Sequence, residues 1–385
     1  MAGSQTVVIL GAGVGGIAAA RALRKQLPKE HRVVLIDRMR DHVFAPSLLW
    51  LMVGQRTGEA ITRPLARLTR KGIDVRIGHI ERIDPDRRTV AVDGQDIACD
   101  YLVIALGADL SPESIPGLAE AGHNFYTRAG AEALWTALQQ VRTGRIIVLT
   151  AAPAYKCPAA PYEAAMLIDG WHRKQGRRDA VQVEVYAAEP APMGVAGPHV
   201  SSAVTQLLAA KDIPYHPGHQ VTAVDAGGKR LTFANGVDVE FDLLAYVPPH
   251  RAPAVIRDSG LAGDSGWMAV DRHTLQTPWP HVYAIGDVVS IPLAMGKPLP
   301  KAGVFAHGQA RVVADNIAHA IAGHTESARF DGHGDCFIEI GGGQAGMGGG
   351  DFYAEPKPQV TLRPPAWRWH LAKVWVEKSW LYGQL

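Results

Sequence analysis

Cysteine is scarce. Cys99, Cys157 and Cys336 are the only three in 385 residues, too few to staple a chain of this size, so a disulfide framework is excluded and a redox pair is the remaining specialised use. No Cys-x-x-Cys-His and no spaced cluster of Cys and His occurs, and no metal is expected. An excess of one charge is also lacking. Lys and Arg number 39 against 37 Asp and Glu, a net of +2, and no basic block is present for nucleic acid to grip. No apolar run reaches the ~20 residues that span a bilayer, so any membrane contact is expected to be peripheral. Met1 to Gln5 carries neither a basic region nor a cleavage site ahead of the strand-like Thr6-Val7-Val8-Ile9-Leu10, and a cytoplasmic location is the expectation.

What is present suits a globular α/β protein. Hydrophobic residues make up 47% and charged residues 20%, enough to bury a large core, and the length calls for two domains plus an appendage. The first strand runs into Gly11-Ala12-Gly13-Val14-Gly15-Gly16 and then a helical stretch, Ile17 to Leu27. In that setting Gly11 serves a tight turn, Gly13 admits a pyrophosphate, and Gly16 lets the helix pack close to the strand. The next strand ends in Asp37, at the spacing where a carboxylate meets ribose hydroxyls.

Two later segments sharpen this reading. Asp100 to Gly107 is a buried-strand run closing on Ala105 and Gly107, and Val282 to Asp287 is another, closing on Gly286 and Asp287. Together the three segments resemble the FAD-dependent pyridine-nucleotide-disulfide reductase superfamily, and that resemblance gives Asp287 the ribityl chain of FAD. It implies two tandem Rossmann-like dinucleotide-binding domains. The first, for FAD, is discontinuous, from residues 1–110 and 265–330. The second covers 111–264, with its first strand at Arg145 to Thr150, and residues 331–385 form a C-terminal region.

At the turn where relatives using NADH carry a second glycine fingerprint, Ala151 to Pro161 contains no glycine, so close approach to a pyrophosphate is lost and reduction by NADH is disfavoured. In its place Cys157 precedes Pro158 and the helical stretch Tyr162 to His172, where the helix end and Lys156 would favour thiolate. Cys336 opens the strand-like Cys336-Phe337-Ile338-Glu339-Ile340, ahead of a glycine-rich run that is poor sheet material and suits a tight hairpin or close approach to a ligand.

The segments Lys156 to Glu163 and Gly334 to Glu339 resemble the sulfide:quinone oxidoreductase and flavocytochrome c sulfide dehydrogenase flavoprotein family. The resemblance pairs Cys157 with Cys336 beside the flavin, alternating between a bridged and a persulfide form. Sulfide is then the electron donor and a membrane quinone the acceptor. The third cysteine that many members carry upstream, here around 124–133, is absent, and Asp41 to Ser47 offers none for a covalent flavin, so FAD is expected to be non-covalent. Cys99 reads as packing. Lys301 and Gly303, before the helix Val304 to Ala322, resemble the segment facing the flavin pyrimidine, and Phe337, Phe352 and Tyr353 are candidates for the quinone pocket.

Four of nine tryptophans, Trp367, Trp369, Trp375 and Trp380, fall in the last 19 residues, where Trp367, Leu371, Val374 and Leu381 are near helical spacing. From Lys357 onward five Lys and Arg face one Glu. This predicts an amphipathic tail on an anionic membrane surface, and with it the family resemblance implies a peripheral, monotopic sulfide:quinone oxidoreductase on the cytoplasmic face of the cell membrane. The alternatives are a flavocytochrome c sulfide dehydrogenase flavoprotein, a type II NADH:quinone oxidoreductase, a non-catalytic flavin or persulfide sensor, and, for the tail, docking on the protein's own core or on a second copy in a homo-oligomer.

Overall fold

The computed structural model describes residues 3–325 and 327–385. Met1, Ala2 and Glu326, which fall inside the N-terminal segment and the FAD-domain ranges read above, lie outside the described residues.

Short runs rich in Val, Ile and Leu form the first sheet, as expected of strands covered on both faces. They are β1 (Thr6–Leu10), β2 (Arg32–Asp37), β3 (Asp74–Ile77), β4 (Tyr101–Ile104) and β10 (Val282–Ala284), in the order β10-β4-β1-β2-β3 and all parallel. One strand therefore arrives from far along the chain and registers beside β4. Helix α1 (Val14–Gln26) packs against α3 (Gly303–Ile321) over this sheet.

The second parallel sheet has the order β5-β9-β6-β7-β8, from β5 (His123–Asn124), β6 (Gly144–Thr150), β7 (Val181–Ala187), β8 (Tyr215–His216) and β9 (Leu243–Val247). Between β6 and β7 lies α2 (Ala160–Lys174), which has Pro161 in its first turn and is buried along most of one side.

A third, antiparallel sheet is built from β11 (His333–Gly341), β12 (Gln344–Asp351) and β13 (Gln359–Ala366). Here the structure corrects the sequence reading, because the glycine-rich run is itself the central strand. A Cβ on Gly350 would come within 1.9 Å of Gln359 O and one on Gly349 within 1.8 Å of Asp335 Oδ1, so glycine is needed to let the three strands pack. The expected hairpin sits just before, at Gly341, Gly342 and Gly343, all at positive φ.

The chain ends in α4 (Trp367–Ser379) and a π-helical turn, Trp380–Gln384. The tail is helical, and its polarity is the reverse of that of a helix docked by an apolar face on its own protein. Lys373 and Glu377 face inward and are buried, whereas Trp367 is 65% and Trp375 69% exposed, with Leu371 also outside. Leu381, read from the sequence at the same helical spacing as Trp367 and Leu371, is buried, as is Trp380. Among the described residues no helix is long and apolar enough to cross a membrane.

Candidate active site

The glycine loop after β1 has the geometry of a dinucleotide cradle. Gly11 has φ +94°, and a Cβ there would meet Ala105 O at 2.5 Å, so β4 and the loop pass at backbone contact. A Cβ on Gly16 would lie 1.8 Å from Gly11 O, whereas one on Gly13 would point into open space, where a pyrophosphate needs room. Asp37 Oδ2 accepts the Ala12 N–H at 2.6 Å and Oδ1 the Met39 N–H at 2.7 Å. The residues present therefore fit a dinucleotide.

Across the sheet, Gly107 (φ +70°) borders open space. Gly286 (φ +75°) donates its N–H to Gln309 Oε1 at 2.7 Å; Gln309, buried on α3, was not singled out in the sequence. Burial pushes the Asp287 carboxyl up, while Lys156 and Lys301 pull it down. Lys301 donates to Asp287 O and Val289 O at 2.7 and 2.9 Å, and its ammonium lies 3.4 Å from the Trp267 ring centre. Burial lowers its pKa to about 8, against the pull of Asp287. Gly303 begins α3 two residues later.

Cys157 and Cys336 are free thiols lining one cavity of about 920 Å³, along with Lys301, Phe305, Ile338 and Phe352. Cys157 sits at φ +53°, a left-handed conformation uncommon for a side chain of this type. Its N–H donates to Lys301 O at 2.6 Å, its C=O accepts the Ala160 N–H at 2.9 Å, and Tyr126 donates its hydroxyl to Lys156 O and Cys157 O at 2.8 and 3.2 Å. Tyr126 was missed in the sequence, where nothing marks it within the region surveyed for a third cysteine.

The electrostatics of the pair differ from the sequence expectation. Burial pushes Cys157 far up, the neighbouring Cys336 and Glu163 push it further, and Lys373 pulls it down. Cys336 is raised by burial and Glu163, again opposed by Lys373, to about 11. The cation acting on the thiols is therefore Lys373 from α4, while Lys156 acts on Asp287 and lies 6.0 Å from the Tyr126 ring. Lys373 Nζ is 2.6 Å from Glu163 Oε1, which also accepts the Glu339 N–H at 2.8 Å, and His370 Nδ1 meets the Glu339 carboxylate at 3.0 Å. Cys99 lies elsewhere; burial raises its thiol to about 12.

The turn after β6 is occupied. Glu189, just past β7, stands where a Rossmann unit would place the acid that reads a ribose. Here its carboxylate instead accepts hydroxyls from Thr150, Tyr155 and Tyr162. The aromatic quinone candidates separate. Phe352 lines the cysteine cavity. Tyr353 donates to Arg272 O at 2.7 Å and packs against His273. Phe337 alternates with Cys336 and Ile338 on β11 and so projects from the opposite face of the sheet; neither it nor Tyr353 lines the cavity.

Residues 5–310 match the family model described as pyridine nucleotide-disulphide oxidoreductase. The chain is 28% identical over 399 residues to the sulfide-quinone reductase of Aquifex aeolicus, covering 98% of this chain and 91% of that protein. It is 25% identical over 366 residues to the mitochondrial sulfide:quinone oxidoreductase of Mus musculus, covering 91% and 79%. The crystal structure of the Aquifex aeolicus sulfide:quinone oxidoreductase superposes with a TM-score of 0.90 at 27% identity, over 99% of this chain and 91% of that one. The chain belongs to the pyridine nucleotide-disulphide oxidoreductase family, and it is an oxidoreductase built around a flavin.

Proposed function

We propose that the chain is a sulfide:quinone oxidoreductase, holding FAD non-covalently and lying peripherally on the cytoplasmic face of the cell membrane. The observation that carries this reading is the placement of two cysteines, distant in sequence, in the wall of one cavity whose lining also includes Lys301, the residue that grips the Asp287 loop. Gly11, Gly13, Gly16 and Asp37 would hold the dinucleotide end, and Ala105, Gly107, Gly286, Asp287, Lys301 and Gly303 the flavin end. When bound, FAD supplies a two-electron acceptor that can hand its electrons on to a quinone.

Two thiols kept protonated by burial are poor nucleophiles at neutral pH, so the cycle starts from the bridged pair. Hydrosulfide forms a bond to one cysteine sulfur as the sulfur–sulfur bond breaks, leaving one residue as a persulfide and the other as a thiolate. Lys373 is placed to stabilise that developing thiolate. Reclosure through the added sulfur releases two electrons and one proton, which balances oxidation of hydrosulfide to sulfur. Glu189, filled by three hydroxyls, offers no free carboxylate to a pyridine nucleotide. The outward Trp367, Leu371 and Trp375 suit a membrane interface.

Anaerobic mixing tests the reading. Sulfide should bleach the flavin absorbance and a quinone should restore it, with no bleaching by NADH. Bleaching by NADH would place the protein with NADH:quinone reductases. Bleaching by sulfide that no quinone reverses would point to a cytochrome partner or a sensor.

A further inference from the structure

The C-terminal turn closes on the loop that carries the first glycine fingerprint. Trp380 Nε1 donates to His42 Nε2 at 2.9 Å, which makes that ring nitrogen the acceptor and leaves the proton on Nδ1. Nδ1 in turn donates to Ala12 O at 2.9 Å. The Ala12 N–H is already held by Asp37. Both peptide groups of the residue between Gly11 and Gly13 are thus fixed, one by the acid ending β2 and the other by a histidine whose tautomer is set 338 positions further on.

The surroundings make this a built contact. Trp380 is buried and lies nearly parallel to Phe44, with ring centres 5.9 Å apart. Burial lowers the pKa of His42 and so favours the neutral ring that both hydrogen bonds require. One turn earlier, Glu377 accepts the Ser47 hydroxyl at 2.7 Å and is gripped by Arg56 through Nε and Nη2, both at 2.9 Å. Beyond Trp380, Arg21 and Lys71 donate to Gly383 O at 3.3 and 3.4 Å.

We infer that the C-terminal turn is a clasp on the cofactor: Trp380, acting through His42, sets the orientation of the Ala12 peptide and so aims the fingerprint amides at the dinucleotide pyrophosphate. Amides at a helix N-terminus hold a phosphate only when their N–H groups converge on it. Without the indole N–H, His42 loses the partner that fixes its tautomer, and the Ala12 carbonyl loses a directed donor. Trp380 is a positioning residue in this arrangement. The same tail carries the outward Trp367, Leu371 and Trp375, so the surface proposed to meet lipid and the loop proposed to hold FAD belong to one docked unit.

The inference rests on the dinucleotide reading of the loop, and the test separates the two. FAD is titrated into flavin-free wild type and Trp380→Phe, following quenching of flavin fluorescence, and the melting temperature of each flavin-free protein is recorded. Phenylalanine keeps an aromatic ring beside Phe44 and lacks the N–H. FAD should bind the variant roughly fivefold more weakly, the effect of one buried hydrogen bond, and the flavin-free protein, which loses the same bond, should melt a few degrees lower. ADP, which fills only the dinucleotide end, should lose the same factor. Unchanged affinity overturns the clasp, as does an equal loss of affinity in Leu208→Ala, a core truncation remote from the loop that lowers the flavin-free melting temperature without touching His42, which marks general destabilisation. Should Trp380→Phe not fold, Glu377→Gln loosens the tail without touching His42 and must also weaken FAD binding. Wild type that binds no FAD would defeat the reading of the loop itself, before any variant is considered.

Discussion

Lys373 and Glu163 meet at 2.6 Å although 210 positions separate them, and both are buried beside the two cysteines. Glu163 pushes the thiols up and Lys373 pulls them down, so the pair places opposing charges next to the same sulfur atoms.

Lys373→Met leaves Glu163 buried without its cation. Breaking a pair of this kind costs about 3–5 kcal/mol, which urea unfolding would register. The thiols also lose the charge that lowers their pKa, so alkylation by iodoacetamide in the reduced protein should slow further. Adding Glu163→Gln should restore much of the stability, because the stranded charge is gone. If alkylation is as fast in Lys373→Met as in wild type, the lysine does not act on the sulfurs.

Cys157→Ser and Cys336→Ser should each keep a full complement of FAD and lose bleaching by sulfide. Cys99→Ser should behave as wild type, since Cys99 lies apart and its thiol stays protonated. Mass spectrometry of oxidised wild type is expected to find the peptides of residues 157 and 336 joined, directly or through added sulfur. A bridge involving Cys99 would refute the pairing.

The parallel sheets were legible in the sequence because local patterns carry them. The apolar run of β1, the glycines at fixed offsets and Asp37 at the end of β2 form one contiguous signal. The charged core beside the cysteines was not. Glu163 and Glu339 sit inside the apolar stretches Tyr162 to Ile168 and Phe337 to Ile340, a hint that each is buried with a partner, but nothing local names Lys373 or His370. The inward side of the tail was hidden for the same reason. Tryptophan and leucine at helical spacing read as a face without saying which way it points. Four polar contacts, from His370 to Glu339, Lys373 to Glu163, Glu377 to Arg56 and Trp380 to His42, turn the ionic stripe inward.

Lys301 gives a pH signature. With its pKa lowered to about 8, the ammonium is present below pH 8 and lost above it. A cation beside the flavin end favours the electron-rich reduced form. Lys301→Met should therefore lower the flavin reduction potential at pH 7, by about 30 mV if one hydrogen-bond-sized interaction is lost, and change it less at pH 9. An equal drop at both values would remove Lys301 titration as the cause.

His172 should make the fold acid-sensitive. It is fully buried on α2, neither ring nitrogen has a hydrogen-bond partner among the described residues, and burial beside Arg177 and Arg178 lowers its pKa to about 4. Between pH 6.5 and 4 the unfolded chain binds a proton there that the folded chain does not, so stability falls as pH falls through that window and levels off below it. One such group contributes at most about 3 kcal/mol across the window. Chemical unfolding from pH 7 to 4 should show a shallower decline in His172→Phe, and an identical decline would assign the acid sensitivity elsewhere.

The outward stripe of α4 gives the sharpest test of membrane contact. A helix on a protein surface ordinarily buries its apolar residues, whereas here Trp367, Leu371 and Trp375 face out and Lys373 and Glu377 face in. Arg363 and Arg368 flank Trp369 at 5.4 and 4.9 Å, keeping positive charge at the rim of the stripe. Lys373, spent on Glu163, contributes nothing there, so binding should depend more on apolar insertion than the tail's net charge suggests. Trp375→Ser should weaken partition onto vesicles roughly tenfold, with FAD content intact because the substitution lies away from His42. Binding should persist on neutral phosphatidylcholine and strengthen only modestly with anionic lipid. Sedimentation with vesicles measures both. If Trp375→Ser binds vesicles as well as wild type but changes the oligomeric state in solution, the stripe is a contact between copies of the chain and not a lipid surface.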